Sequence, residues 1–187
     1  MYKIPITNYY ISDDMPNHAT IKKDVLSMID EAPNSNLSGT DNFYENEISK
    51  LDFNEHGDMS RPWVKRILPE FLDKLGKMVY DIGYMKINLK ALWYQQYRKN
   101  DIHDWHVHGE NFTGVYYIEY PEGAPATRLY DTKLIVPEIK EGTICVFPAN
   151  TPHIAPKIDN DLRKTIISFN FNVIEMNANK LKELRNV

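Results

Sequence analysis

Three histidines in this chain have the spacing to hold a metal ion. His106-Val107-His108 places two imidazoles at i and i+2. In an extended strand those positions share one face, so both rings can reach one small cation. His153, after Thr151-Pro152, can return as a third ligand from a distant strand. Asp104 has the same parity as His106 and His108, and Glu110 follows closely, so either carboxylate could replace one imidazole. Ten residues beyond His153 stands Arg163, within Leu162-Arg163-Lys164-Thr165-Ile166-Ile167-Ser168-Phe169. Alternation puts Arg163, Thr165, Ile167 and Phe169 on one strand face. An arginine on an otherwise apolar face needs an anion, because a buried unpaired charge is costly. Its planar fork matches a carboxylate. The plain alternatives are an exposed histidine pair and a solvated arginine.

These residues lie in a β-rich stretch. From Lys86 to Val173 the chain reads as short strands between turn residues: Ile87 to Tyr97, Thr113 to Tyr120, Arg128 to Tyr130, Thr143 to Phe147 and Lys164 to Val173. Glycines and prolines from Gly109 to Pro156 punctuate them, as in a sandwich or barrel. Helices come first. Asn17 to Ala32 carries Ile21, Val25, Met28 and Ile29 at helical spacing, and Pro33 stops it. A second helix runs from Ser60, a capping residue, to Gly83, with Arg61-Pro62 in its first turn. Trp63, Ile67, Leu68, Phe71, Leu72, Leu75, Val79 and Ile82 form its apolar stripe, and Pro69 should bend it or shift its start. Tyr2 to Ser12 is β-rich, Asn34 to Asp58 is irregular, and Asn177 to Arg185 is a short helix. The helices are expected to cover the outer face of one sheet.

The chain has 187 residues, 42% of them hydrophobic and 26% charged, which suits one globular domain rather than a fibrous or disordered chain. A net charge of -4 argues against gripping nucleic acid, which needs many cations at phosphates. The one cysteine, Cys145, excludes an internal disulfide and a Cys-rich zinc site. No apolar run approaches a membrane span, and Asp13-Asp14 comes too early for a signal peptide. A cytoplasmic location is the default expectation.

The order His-x-(acid), a distant His, then Arg about ten residues on with a hydroxyl two further resembles the 2-oxoglutarate and Fe(II)-dependent oxygenases. The likeness covers Trp93 to Asn172. The run Tyr97 to His106 is similar to a prolyl-hydroxylase lead-in, with its tyrosine about nine residues before the first iron ligand. Trp105-His106-Val107-His108-Gly109-Glu110-Asn111-Phe112-Thr113-Gly114-Val115-Tyr116-Tyr117 resembles a branch with His-x-His followed by Ser-Gly-Val-Tyr-Tyr. Gly142 to Pro148 and Ser168-Phe169-Asn170 fit the same pattern.

The resemblance implies a double-stranded β-helix, or jelly roll, mainly β with flanking helices. The organisation expected is one domain over 1–187: a helical part at 1–84, a jelly-roll core at 85–175 and a tail at 176–187. It implies Fe(II) on His106, His108 and His153, with 2-oxoglutarate and O2 as co-substrates. Arg163 would hold the distal carboxylate of the oxoacid, helped by Thr165, Tyr97 and Gln95, with Tyr94 and Gln96 as weaker candidates. Phe147, Ile167 and Phe169 would form a dry wall. The substrate would be a small molecule or a peptide, including a peptidyl or free amino acid, without nucleic acid or membrane partners. One departure is plain: the family usually has Asp or Glu where this chain has His108. Two other readings stand beside this one: a cupin-like metal-binding jelly roll without oxoacid chemistry, and a non-enzymatic β-sandwich binding protein.

Overall fold

A computed structural model describes residues 10–33 and 48–184. The strands and helices, in chain order, are β1 (Ile11–Asp14), α1 (His18–Glu31), β2 (Lys50–Leu51), α2 (Pro62–Asp81), β3 (Tyr84–Tyr97), β4 (His103–His106), β5 (Phe112–Glu119), β6 (Arg128–Asp131), β7 (Lys133–Ile135), β8 (Thr143–Pro148), β9 (His153–Ala155), β10 (Lys164–Met176) and α3 (Ala178–Leu184), with a 3-10 turn at Phe53–Glu55. The strands form two antiparallel sheets, ordered β1-β8-β5-β10-β3-β2 and β4-β9-β6-β7. This is a jelly roll with its helices laid on the larger sheet. Most of residues 2–12 and 34–58 fall outside the described residues, so the β-rich start and the irregular segment are described only from Tyr10 and from Ile48. No helix among the described residues is long and apolar enough to cross a membrane.

Two cores divide the molecule. One lies between the helices and the large sheet. Trp63, Ile67, Phe71 and Leu75 of α2, with Ile21, Val25 and Ile29 of α1, pack on Leu92, Tyr94, Tyr116, Ile144, Val146, Ile167, Phe169 and Phe171. The other lies between the sheets and holds Trp93, Tyr97, Val115, Tyr117, Cys145, Phe147 and Ile166 against Leu129 and Ala155. Period-2 alternation assigns each strand's residues to one core or the other. In β10 the odd positions face the helices and the even positions face the space between the sheets.

The helix stripes follow the sequence except at Leu72, which the structure leaves exposed, while Val64 and Met78 of α2 are buried as well. Asn17 precedes α1 in the left-handed region, φ 54°, a conformation that asparagine tolerates. α2 starts at Pro62 rather than at a Ser60 cap, with Arg61 as its N-cap, and it continues through Pro69. Proline at the first position loses no hydrogen bond, which explains the start.

Gly114 of β5 allows Phe169 a close approach to the sheet. A Cβ there would lie 2.3 Å from Phe169 Cζ and 2.6 Å from the Cys145 carbonyl oxygen. The Phe169 ring meets Phe71 edge-on at 4.8 Å, so α2 blocks its retreat. Gly114→Ala is therefore expected to cost about 1–3 kcal/mol through overpacking. A thermal melt should show a lowered Tm, and an unchanged Tm would mean the ring has somewhere to go.

Candidate active site

Antiparallel pairing brings the histidines together. His106 of β4 stands directly opposite His153 of β9. Their ring centroids are 4.1 Å apart. His108 follows β4 and is pinned by its backbone N–H to the Ala149 carbonyl at 2.9 Å. Its ring lies 5.1 Å from His106 and 5.1 Å from His153. One ring nitrogen from each of the three lies within 4.8 Å of the others. Neither Asp104 nor Glu110 belongs to this group.

The tautomers follow from hydrogen bonds. His106 Nδ1 is 2.6 Å from the Asp104 carbonyl oxygen, and His153 Nδ1 is 3.0 Å from that of Thr151. A carbonyl only accepts, so both Nδ1 atoms carry the proton and Nε2 carries the lone pair. His108 Nδ1 lies 3.3 Å from the Asn170 amide, whose buried Oδ1 has no partner as oriented. As placed, Nδ2 donates to His108 Nδ1; with the amide's O and N exchanged, Oδ1 accepts the His108 Nδ1 proton instead, so this bond serves either tautomer of His108. His106 and His153 therefore present a basic Nε2, which is how a metal-binding histidine is fixed, and His108 does the same when the Asn170 amide is exchanged. Burial favours the neutral form further. It lowers the pKa of His106 and pushes His108 down to about 4 and His153 to about 3.

A fourth histidine belongs to the cluster and was missed by spacing. His103 stacks on His106, centroids 3.8 Å apart and planes 15° apart. Gln95 Nε2 donates to His103 Nδ1 at 3.0 Å, and Ser168 Oγ donates to Gln95 Oε1 at 2.8 Å. The pairing of β4 with β9 shifts register between His103 and His106. The i, i+2 rule therefore fails there. The small pocket below these rings is lined by Trp93, Gln95, Tyr97, Thr127, Ile166 and Ser168 among others. Phe147 meets His153 edge-on at 4.8 Å from the core between the sheets.

Arg163 and Thr165 are not in this pocket, which corrects the expected anchor. Arg163 forms two bonds of 2.8 Å to the Glu119 carboxylate and reaches Asp30 of α1 at 3.0 Å. Thr165 Oγ1 donates to Glu119 Oε2 at 2.7 Å and accepts from Gln96 Nε2 at 3.2 Å. Arg163, Thr165, Gln96, Glu119 and Asp30 thus form an ionic network on the helix side of the large sheet. Ile167, Phe169 and Tyr94 also face the helices.

On the inner face of the large sheet the buried cation is Lys164, which lies behind the Tyr97 ring and does not itself line the pocket. It is fully buried and stands opposite Tyr97 in the β3–β10 pairing. Its ammonium lies 4.6 Å from the Tyr97 ring centroid, and Nζ donates to the Pro125 carbonyl at 3.0 Å. No carboxylate among the described residues pairs with it, and burial pushes its pKa down to about 8. The Tyr97 hydroxyl is also buried and has no hydrogen-bond partner among the described residues. Lys164, Ile166, Ser168 and Asn170 alternate along one strand face, from this ammonium to the amide at His108.

No protein-family model matches the sequence, and no curated protein matches it. Solved structures do. An oxidoreductase of the 2OG-Fe(II) oxygenase family from Burkholderia pseudomallei matches with a TM-score of 0.67 at 10% identity, covering 90% of this chain and 86% of that one. A Pseudomonas putida prolyl-4-hydroxylase gives 0.60 at 11%, covering 88% and 93%. The viral collagen prolyl hydroxylase of Paramecium Bursaria Chlorella virus-1, in its 2OG complex, gives 0.59 at 14%, covering 88% and 96%. At such identities the likeness shows a shared fold.

Proposed function

We propose that this chain is an Fe(II)- and 2-oxoglutarate-dependent oxygenase that hydroxylates a small-molecule or peptide substrate. The observation that carries the reading is the pairing of two features at the inner face of the large sheet. Three imidazoles converge, those of His106 and His153 with Nε2 basic, and beyond them, behind the Tyr97 ring, a buried ammonium lacks a counter-charge among the described residues. Both fit the groups in question. Neutral imidazoles suit Fe(II), and a facial set of three ligands leaves positions open. Lys164 and the Tyr97 hydroxyl suit a carboxylate, which would supply the missing negative charge and accept the phenol proton.

His106, His108 and His153 would hold the iron. The chemistry it supplies when bound is transfer of one oxygen atom of O2 into a substrate C–H bond and the other into succinate, with loss of CO2 from the oxoacid. Lys164, rather than Arg163, would bind the distal carboxylate, and Tyr97 would donate to it. Gln95, fixed by Ser168, orients His103 against His106. Phe147 and Ile166 keep water from the pocket.

The direct test is succinate formation from 2-oxoglutarate, dependent on added Fe(II) and O2. Metal binding without succinate would favour the cupin-like reading, which gives Lys164 no task. The clustering of His106 with His153 argues against a binding protein with scattered histidines.

The reading also makes a pH prediction. In the free protein Lys164 holds its proton below about pH 8 and loses it above. A bound carboxylate needs the proton. Oxoacid affinity should therefore be flat below about pH 8 and fall about tenfold per pH unit above it. Calorimetric titration of Mn(II)-loaded protein measures this. An affinity that does not fall above pH 8 would remove Lys164 as the partner.

A further inference from the structure

On the helix side of the large sheet, away from the histidines, a cavity of about 360 Å³ opens between the end of α1, the start of α2 and the turn at Phe53–Glu55. Met28, Pro33, Pro62, Trp63 and Tyr94 form its apolar wall. Glu31, Asp52, Glu55 and Arg61 supply its charges. The chain itself separates this cavity from the triad. Leu51 and Phe53 pack on the core between the sheets. Asp52, between them, turns to the helices and accepts the Trp63 indole N–H at 3.0 Å.

The four charges are not equivalent. Arg61 and Asp52 are buried and pair with each other. Arg61 also donates to the Leu92 carbonyl and, at 2.8 Å, to the Asp58 carbonyl. The second Asp52 oxygen accepts the Tyr94 backbone N–H at 2.7 Å. This pair is a neutral floor with its bonding already spent. Glu31 and Glu55 are exposed at the rim, and neither has a cationic partner among the described residues. Glu31 takes only the Ser27 hydroxyl, at 3.3 Å. Two uncompensated negative charges therefore stand over an apolar wall.

A second, independent feature points to a ligand. Tyr94 is 1% exposed, and its hydroxyl has no hydrogen-bond partner among the described residues. Burial raises its pKa, Asp52 and Glu55 raise it further, and Arg61 opposes them. The hydroxyl thus lies among the same charged groups that line the cavity. A buried hydroxyl without a partner is costly, and a ligand that bonds to it lowers that cost. An anion would face both glutamates and find Arg61 already engaged. A neutral ligand would leave the glutamates unmatched. A cation on an apolar body answers every feature. Its N–H groups donate to the phenol oxygen and the carboxylates, and its body rests against Trp63, Met28 and Pro62.

We infer that this cavity binds a small organic cation, a primary amine on an aromatic or aliphatic body, held by Glu31, Glu55 and the Tyr94 hydroxyl. The site does not depend on the oxygenase reading, because it lies across the large sheet from the triad and from Lys164.

The experiment titrates the full chain, free of metal and oxoacid, with 2-phenylethylamine in a calorimeter. Neutral 2-phenylethanol and anionic 3-phenylpropanoate have nearly the same shape and serve as comparisons. The amine is expected to bind with a Kd of about 1 mM or tighter, and each comparison compound about tenfold more weakly or worse. Equal binding of all three, or no saturable binding of the amine up to about 10 mM, overturns the inference. The double variant Glu31→Gln, Glu55→Gln should weaken the amine about tenfold and leave the alcohol unchanged. Tyr94→Phe should weaken it about threefold or more without lowering the Tm, since it removes an unpaired buried hydroxyl. Unchanged affinity in the double variant overturns the site, and in Tyr94→Phe it overturns the part given to the hydroxyl. Loading with Mn(II) should leave the amine affinity as it was. Competition between the two would put the amine at the histidines and overturn the assignment.

Discussion

Lys164→Met is expected to weaken 2-oxoglutarate binding by two to three orders of magnitude while raising the Tm of the ligand-free protein. The two effects have opposite signs because one charge causes both. In the free protein the ammonium is buried, donates to a single carbonyl, and its pKa falls from 10.5 to about 8. Holding that charge costs roughly 3 kcal/mol. The folded state binds the proton less tightly than the unfolded state, so the cost is fully present below about pH 8. It fades between that value and the unfolded 10.5, and stability should rise over that interval. Methionine fills similar space with no charge, so the cost disappears. The oxoacid loses its counter-charge, and removing one member of a buried charge pair costs about 2–5 kcal/mol. Arg163→Met should do the reverse. It strips Glu119 and Asp30 of their cation and lowers Tm, yet leaves oxoacid affinity unchanged, because its guanidinium lies on the helix side of the sheet. Titration of Mn(II)-loaded variants and thermal melts decide between the two residues. Loss of affinity in Arg163→Met, with Lys164→Met unaffected, would overturn the anchor assigned here.

The contrast between Arg163 and Lys164 also shows where the sequence could be read and where it could not. The triad was legible because its geometry is local: His106 ends a strand, His108 lies two residues beyond it, and His153 stands directly across. The α2 stripe was legible because Trp63, Ile67, Phe71 and Leu75 recur at helical period and have one apolar layer to meet. The face of β10 was read in the wrong sense. Alternation identifies two faces but not which one meets the pocket. In β10 the odd face, Thr165, Ile167, Phe169 and Phe171, is the more apolar, so it looks like the interior. It is an interior, but the one beneath the helices. The pocket face, Lys164, Ile166, Ser168 and Asn170, looks like a solvated edge because a catalytic pocket must carry polar groups. The short strands β4, β7 and β9 were invisible for another reason: three or four residues give no period, and the bulge between His103 and His106 breaks what little there is.

His108→Asp and His108→Ala should separate the metal site from the departure it embodies. Alanine removes one of three donors from a set whose Nε2 atoms are held in place by the Asp104 and Thr151 carbonyls and the Asn170 amide. Even loss of an orienting partner behind a metal ligand costs about 10–100-fold in affinity, so loss of the ligand itself should cost at least that. Succinate formation should fall below detection in His108→Ala, and likewise in His106→Ala and His153→Ala. Aspartate keeps a donor at the same strand position and adds a negative charge, so His108→Asp should retain Fe(II). Acid should release the metal from the native protein late. The usual imidazole protonates near 6.5, whereas burial holds His108 near 4 and His153 near 3. A proton displaces metal only when it can occupy the ring. Occupancy of Mn(II), followed by its magnetic resonance signal, should therefore stay level from pH 7 to about 5 and fall only as His108 titrates. Release centred near 6.5 would show the rings to be solvated in the metal-free state. Full metal affinity in His108→Ala would show that the third donor is elsewhere, with Asp104 and Glu110 the nearest carboxylates in sequence.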